Sequence, residues 1–289
     1  MFAYSTLVYF KLKYGFQPLL KDEQLQRLYS VFKKEKLMIK PGTITIPSYL
    51  VINWEKVAHM NMSEGRKNGI YELDSDFLEN IDGYRNNKFL NIGTFPHYLW
   101  IYRELFEDIK QHFIFHDHLT NHVKKWKNSI LSQYANTEVI FVGVHCRRTD
   151  YAKHLNNMNG GATLVNKTFY EEALRLYRLK YNSKDHKVIF LAVSDDYEWI
   201  KNTIGEHDDV FFSKEYSNEH VQSGDEVGFD LNVLASCDHS VFAYGTFGLW
   251  GALLAGGDVI VSKVKLSSFK ISARKMLSRE EGLMRIVQV

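Results

Sequence analysis

Residues 138–151, EVIFVGVHCRRTDY, constrain the fold more than any other stretch of the chain. Val139, Ile140, Phe141, Val142 and Val144 form an apolar, β-branched and aromatic run. Such a run reads as a strand buried on both faces, as in a parallel sheet. It ends abruptly in His145, Arg147, Arg148 and Asp150. Ligands of open α/β sheets gather at the carboxyl ends of the strands. A guanidinium fork matches phosphate oxygens in pairs, so a bound diphosphate is one reading of the two arginines. An ion-pair network with acidic side chains across a domain interface is the other.

The sequence that follows alternates cleanly. Strands are expected at 138–146, 188–194, 210–213, 239–245 and 259–264, with helices at 168–181, 196–204, 225–236 and 246–255 between them. A Gly/Asn-containing loop is expected over 152–167, and Thr168 with Glu171 three residues on reads as a capping box for the next helix. Strand–helix alternation at this spacing predicts an α/β fold with a doubly wound parallel sheet. The basic tail from 265 to 289 carries no clear pattern.

The first half is less regular. Phe2, Leu7, Phe10 and Leu12 space as a helix with Gly15 as its stop, and residues 22–35 place Leu25, Leu28, Tyr29 and Phe32 on one helical face. Residues 43–52 are strand-like, and 59–95 read as loops with short strands. Pro96 opens a helix running to about Lys110, and a second helix runs from about Asp117 to Tyr134. A chain that opens with a helix at its first residue predicts a missing upstream strand and loop.

Composition removes several classes. The net charge of +2 from 36 basic and 34 acidic residues argues for no nucleic-acid surface. No apolar run approaches the ~18 residues of a membrane span, and Lys11 and Lys13 break the N-terminal stretch as a leader or anchor. Cys146 and Cys237 are the two cysteines, each beside strand-like sequence, and they read as buried free thiols rather than a disulfide framework. There is no G-x-G-x-x-G, no phosphate loop ending in Lys-Ser/Thr and no G-x-S-x-G elbow. His116-Asp117-His118 reads as a solvated helix start, and Asp74-Ser75-Asp76 as a loop rather than a metal triplet. Asn61-Met62-Ser63 and Asn166-Lys167-Thr168 are glycosylation sequons, which matter only in the secretory pathway.

Three strand ends carry polar clusters: His145, Arg147, Arg148 and Asp150; Ser194, Asp195 and Asp196; Gly245, Thr246 and Phe247. All three should fall on one edge of one sheet. Gly245-Thr246, between a strand and a helix, can offer backbone N–H groups and a hydroxyl to a phosphate, or serve as a turn and cap. Asp195 and Asp196 can contact a base or ribose, bind a metal, or cap the next helix.

These residues resemble a known family. His145-Cys146-Arg147-Arg148-Thr149-Asp150-Tyr151 looks like the H-x-R-R-x-D-Y motif of the alpha-1,2-fucosyltransferases. Val193-Ser194-Asp195-Asp196, with Trp199 after it, looks like that family's second motif. The stretch from Asp230 to Asp258, with C-x-H, G-T-F-G-x-W and a closing G-G-D, is similar to its third. Met1-Phe2-Ala3-Tyr4-Ser5 resembles the end of the first motif, which implies a chain that begins inside that motif, without its glycine- and asparagine-containing loop.

The resemblance implies a two-lobed, GT-B-like glycosyltransferase: an acceptor-side lobe over 1–135, N-terminally incomplete, a GDP-fucose-binding lobe over 136–264 and a tail over 265–289. It implies inverting transfer of L-fucose from GDP-fucose to the 2-hydroxyl of a terminal β-galactoside, with no metal and no other cofactor. Arg147, Arg148, Ser194, Asp195, Asp196, Gly245, Thr246 and Phe247 would then bind the donor, Arg147 would hold the β-phosphate, and Asp150 or His145 would take the acceptor proton. The setting implied is the Golgi lumen, with membrane attachment only through an anchor this chain lacks. Two alternatives stay open. Alpha-1,6-fucosyltransferases share H-x-R-R-T-D and fit Thr149, although Tyr151 and G-T-F-G-x-W favour the 1,2 class. A non-catalytic relative would bind GDP or sugar without turnover.

Overall fold

The computed structural model describes residues 1–15, 18, 20, 22–39, 70–72, 89–91, 104–134, 137–157, 164–262 and 285–288. The expected strand at 43–52, the helix start at Pro96, the Asn61 sequon and the Asp74-Ser75-Asp76 triplet lie outside these residues.

Helix α1 (Phe2–Tyr14) ends where expected, on Gly15 in the left-handed region at φ 73°, with its N–H returned to Lys11 and Phe10 carbonyls. Helix α2 (Asp22–Tyr29) is shorter than the expected 22–35. Phe32 leaves the helical face because the backbone there turns into an antiparallel bridge with Phe115. Strands β1 (Ile70–Glu72) and β2 (Phe89–Asn91) pair in parallel. Helices α3 (Phe106–Lys110) and α4 (Asp117–Leu131) follow. These N-terminal helices are not isolated from the second half. Tyr4, Val8, Phe106, Ile109 and Phe113 share one apolar cluster with Leu249, Trp250 and Leu253, and the Phe113 and Trp250 rings meet edge to face at 5.4 Å.

From residue 138 the expected alternation holds. Strand β3 (Glu138–Cys146) leads to helices α5 (Tyr151–Asn157) and α6 (Lys167–Tyr181), then β4 (His186–Ser194), α7 (Tyr197–Ile204) and β5 (Val210–Phe212). Helices α8 (Ser213–His220) and α9 (Glu226–Ala235) lead to β6 (His239–Phe242), α10 (Thr246–Ala255), β7 (Asp258–Val261) and β8 (Arg285–Gln288). Two helices depart from expectation. Residues 152–157, part of the stretch read as loop, belong to α5, and α8 begins at Ser213 directly on the end of β5. Thr168 is not a cap: Asn166 holds that position, without a side-chain bond. The tail, unassigned from sequence, contributes β8.

The six strands are all parallel in the order β5-β4-β3-β6-β7-β8. The chain starts at the centre, runs outward through β4 and β5, then crosses back to the far side of β3. This is the doubly wound order, whose reversal between β3 and β6 opens a crevice at their carboxyl ends. Burial explains the apolar sequences. In β4, Val188, Phe190 and Ala192 pack with Phe169, Tyr170 and Leu174 of α6 on one face. Ile189, Leu191 and Val193 pack on the other with Leu119, Val123 and Trp126 of α4 and Phe229 and Val233 of α9.

Gly256 and Gly257 both have positive φ, at 81° and 73°. A Cβ on Gly257 would stand 1.9 Å from the Asp238 carbonyl oxygen, whereas one on Gly256 would meet nothing within 4 Å. Gly256→Ala should therefore cost the backbone strain alone, about 1–3 kcal/mol in urea unfolding, and Gly257→Ala, which adds the clash, should cost more than that. Equal costs would show that the turn does not depend on this close approach.

Candidate active site

The register of the sheet assembles the site. Cys146 lies opposite Ser194 in the β3–β4 ladder, and His145 opposite Phe242 in the β3–β6 ladder. Arg147 and Asp195 are thus the next residues past one pair of strand ends, and residues 243–247 lie just past the third. The predicted convergence of three polar clusters follows from this register. Between them lies a cleft of about 530 Å³, lined by His145, Arg147, Asp150, Ser194, Asp195, Gly245, Thr246 and Phe247. Tyr151, His154, Val193, Val227 and Asp230 complete its walls.

Asp195 organises the loop after β3. Its Oδ1 accepts the Arg148 N–H at 2.8 Å, and its Oδ2 accepts the Thr149 N–H at 3.2 Å and the Thr149 hydroxyl at 2.5 Å. Arg147 Nη1 stands 3.1 Å from the same Oδ2, and Arg147 Nη2 stands 2.7 Å from Asp150 Oδ1. Arg147 is thereby aimed into the cleft with its fork held by two carboxylates.

Arg148 goes the other way. Strand alternation carries past the end of β3, so Cys146 and Arg148 face the α6 side. The Arg148 guanidinium stacks on Trp199 at 3.6 Å, donates to the Val165 carbonyl at 3.3 Å and lies 3.4 Å from Asp196. It does not line the cleft. Asp196 caps α7 through the Trp199 N–H at 3.3 Å, and Ser194 Oγ accepts the Asp196 N–H at 2.9 Å. The expected contacts of Arg148, Asp195 and Asp196 with a bound nucleotide thus compete with bonds these side chains already make inside the protein. Burial pushes the Cys146 thiol up to about 11, which keeps it protonated beneath the loop.

The opposite wall is the start of α10. Gly245 has φ 89° and ψ 153°, a region open essentially to glycine alone, and it directs the first-turn N–H groups of α10 toward the cleft. Thr246 is exposed there. Gly248 allows close packing, since a Cβ would stand 2.5 Å from His145 Nδ1. His145 is 5% exposed, its ring lies 5.4 Å from Phe247, and burial lowers its pKa to about 4. It is neutral at physiological pH, and its Nδ1 has no hydrogen-bond partner.

Three wall residues were not named as site residues from the sequence. Tyr151 stacks on Tyr244 at 4.6 Å with planes 3° apart, and His154 packs on Tyr151 at 4.8 Å. Both belong to α5, whose residues 152–157 were read as loop. Asp230 sits in the otherwise apolar helix EVGFDLNVLA, and an acid within a buried helical run was the available clue. Burial raises its carboxyl to about 6. Among the described residues, no group of three His, Cys, Asp or Glu side chains stands close enough to share a metal ion.

Comparison with known proteins gives a consistent result. The sequence profile described as glycosyl transferase family 11 matches residues 44–285. Galactoside alpha-(1,2)-fucosyltransferase 2 of Pongo pygmaeus is 29% identical over 191 residues, covering 66% of this chain and 52% of that protein. Galactoside alpha-(1,2)-fucosyltransferase 1 of Rattus norvegicus is 28% identical over 187 residues, covering 64% and 47%. The chain spans about half the length of these relatives. A mutant of Arabidopsis thaliana FUT1 in complex with GDP superposes with a TM-score of 0.51 at 12% identity, over 90% of this chain and 66% of that one. That likeness is one of fold, and it agrees with the GT-B-like α/β architecture expected from the sequence.

Asp230 makes a pH prediction. Its carboxyl ionises near 3.8 when unfolded and near 6 when folded. Between those values the folded state holds one more proton, so stability falls as pH rises. At about 1.36 kcal/mol per pH unit the fall reaches up to about 3 kcal/mol above pH ~6. Asp230→Asn should lack that fall. Unfolding free energies at about pH 4 and about pH 7.5 should therefore differ more in the parent than in the variant. An equal difference would remove the strained carboxylate from the site.

Proposed function

We propose an activity for this chain, which belongs to glycosyl transferase family 11: it moves L-fucose from GDP-fucose to the 2-hydroxyl of a terminal β-galactoside, with inversion at the anomeric carbon and without a metal ion. The observation that carries this reading is Arg147, fixed by Asp150 and Asp195 at the switch point of the sheet, across the cleft from the N-terminus of α10. Departure of GDP builds negative charge on the β-phosphate. A guanidinium has five N–H donors, and the two carboxylates leave several of them for that phosphate. Charge-assisted bonds contribute about 1.5–3 kcal/mol each, and those that strengthen as the sugar–phosphate bond breaks accelerate the reaction. Thr246 and the first-turn amides of α10 would meet the diphosphate from the other side.

The remaining assignments follow the geometry. Arg148 buttresses the loop from behind through Trp199, and Asp195 and Asp196 position it rather than reading the nucleotide. Asp230, whose carboxylate keeps accepting capacity beyond its bond from Ser213, is the one that would face the base. Guanine carries two adjacent N–H donors on one edge, which a carboxylate accepts as a pair, and adenine does not present that edge. His145, neutral beside Phe247, lies in the same part of the cleft. The division into an acceptor-side lobe over 1–135 and a donor-side lobe over 136–264 is part of the reading, as is the Golgi lumen as its setting. Among the described residues no helix is long and apolar enough to cross a membrane. The 1,6 alternative rests on the shared H-x-R-R-T-D run, in which Thr149 is the residue that fits it. That side chain is bonded to Asp195 at 2.5 Å and serves the loop, so it says nothing about linkage.

Calorimetric titration of GDP in the presence of EDTA tests the donor site. The parent should bind, and Arg147→Ala should weaken binding by about tenfold or more. Incubation with GDP-fucose and β-galactosides should then give a 1,2-linked product. Full activity in Arg147→Lys would end the paired-phosphate idea, and a 1,6 linkage would overturn the acceptor assignment. GDP binding with no transfer would identify a non-catalytic relative.

A further inference from the structure

The attacking hydroxyl must lose a proton, and of the five carboxylates and imidazoles on the cleft wall Asp195 is already committed to two N–H groups, a hydroxyl and Arg147, which leaves four that could take it. Asp150 is bonded to Arg147 at 2.7 Å, and protonating it would loosen the guanidinium at the moment the leaving phosphate needs it. His145 is wedged under α10 against Phe247 and the Gly248 backbone and is 5% exposed, so an incoming glycan does not reach it. Asp230 lies on the α9 wall, where the proposed function places the base of the donor. The fourth is His154. It is exposed, it lines the cleft, and its only recorded partner among the described residues is the Tyr151 ring at 4.8 Å. Its imidazole nitrogens are left available.

Its placement is built in. The His154 N–H donates to the Asp150 carbonyl at 3.2 Å, so one helical turn joins the two residues. Residues at i and i+4 lie on the same face of a helix. Asp150 and His154 therefore share one face, and both line the cleft with Arg147 and Tyr151. The rise from Asp150 to His154 is about 6 Å, which leaves room for a sugar ring between the leaving group and the imidazole. Tyr151 is itself pinned on Tyr244 at 4.6 Å, so the His154 ring rests on an anchored platform.

We propose that His154 is the general base of the transfer, an inference that rests on the reading of this chain as a fucosyltransferase. The acceptor O–H bond breaks and its proton passes to an imidazole nitrogen of His154. The hydroxyl oxygen bonds to the anomeric carbon of fucose. The bond from that carbon to the β-phosphate oxygen breaks, and its electron pair leaves with GDP, held by Arg147. The imidazolium then gives its proton to water. Around His154 the cleft presents Arg147, Asp150 and Tyr151 from the loop and α5, His145 from β3, Asp195 from β4 and Asp230 from α9. Asp150, one turn away, supports the positive charge as it forms.

The test compares the full chain with His154→Gln and His154→Ala, reading GDP affinity by calorimetry and kcat/KM against pH with a β-galactoside acceptor. General base catalysis is typically worth about 10²–10⁴-fold, so turnover should fall by about 100-fold or more while GDP affinity stays within about twofold. The acidic limb of the parent's pH profile should vanish in His154→Gln. Turnover within about threefold of the parent, or an unchanged acidic limb, would overturn the assignment. A parallel loss of GDP affinity would also overturn it, placing His154 in the donor site instead. A parent that binds GDP but transfers nothing would overturn the underlying functional reading, and this inference with it.

Discussion

One carboxylate holds the active edge of this sheet together. Asp195 receives two backbone N–H groups, a hydroxyl and a guanidinium from the three residues after β3. Those N–H groups have left the strand ladder and would otherwise lack partners in a half-covered loop. The carboxylate can reach them because β3 and β4 are parallel and end in register, at Cys146 and Ser194. The chain's direction past this point, and so the start of α5 and the position of every cleft residue on it, depends on that bond set. An asparagine at 195 would present an amide donor where the loop already offers only donors.

The same geometry gives adjacent arginines different work. Past the strand end, Arg147 continues the His145 side and Arg148 the Cys146 side. Arg147 faces solvent and two carboxylates, a setting in which an arriving anion completes its bonds. Arg148 lies behind the loop, its plane against Trp199, its charge met by the Val165 carbonyl and by Asp196. Lysine could replace neither. It would lose the paired donors at the first position and the stacked plane at the second. The doubled arginine thus sends one side chain into the cleft and the other behind the loop.

Much of this was legible before any coordinates. The strand run of 138–146 and the alternation after it predicted the doubly wound sheet, because residues buried on both faces leave little choice of composition. The three polar strand ends were readable as a convergent site for the same reason. What the sequence hid was local. Helix α5 was lost because Asn156, Asn157 and the Gly/Asn residues after them look like loop, although Tyr151-Ala152-Lys153-His154-Leu155 is compatible with a helix whose Leu155 is fully buried. Helix α8 starts on the last strand residue with no connector to announce it. The acids at 195 and 196 were open to three readings, and only the register showed that they serve the loop and the α7 cap.

Titratable groups at the two ends of the sheet meet different surroundings. At the amino end, the Asp258 carboxylate is met by Lys180 and by the Tyr181 hydroxyl, and the Asp258 N–H donates to His239 Nδ1 at 3.0 Å. Burial raises that carboxyl's pKa, but these partners outweigh it and the net shift is downward. At the carboxyl end, burial dominates for Asp230 and carries it to about 6, while His145 Nδ1 is buried without a partner. Gly245 occupies backbone space that other residues avoid. Asp258 at the amino edge is thus met by partners, whereas His145 Nδ1 at the carboxyl edge is buried without one. A buried polar group without a partner costs about 1–3 kcal/mol. A fold tolerates that cost where a second molecule supplies the missing partner, and here the unpartnered imidazole of His145 lies with Arg147 and Asp230 on the wall of one cleft.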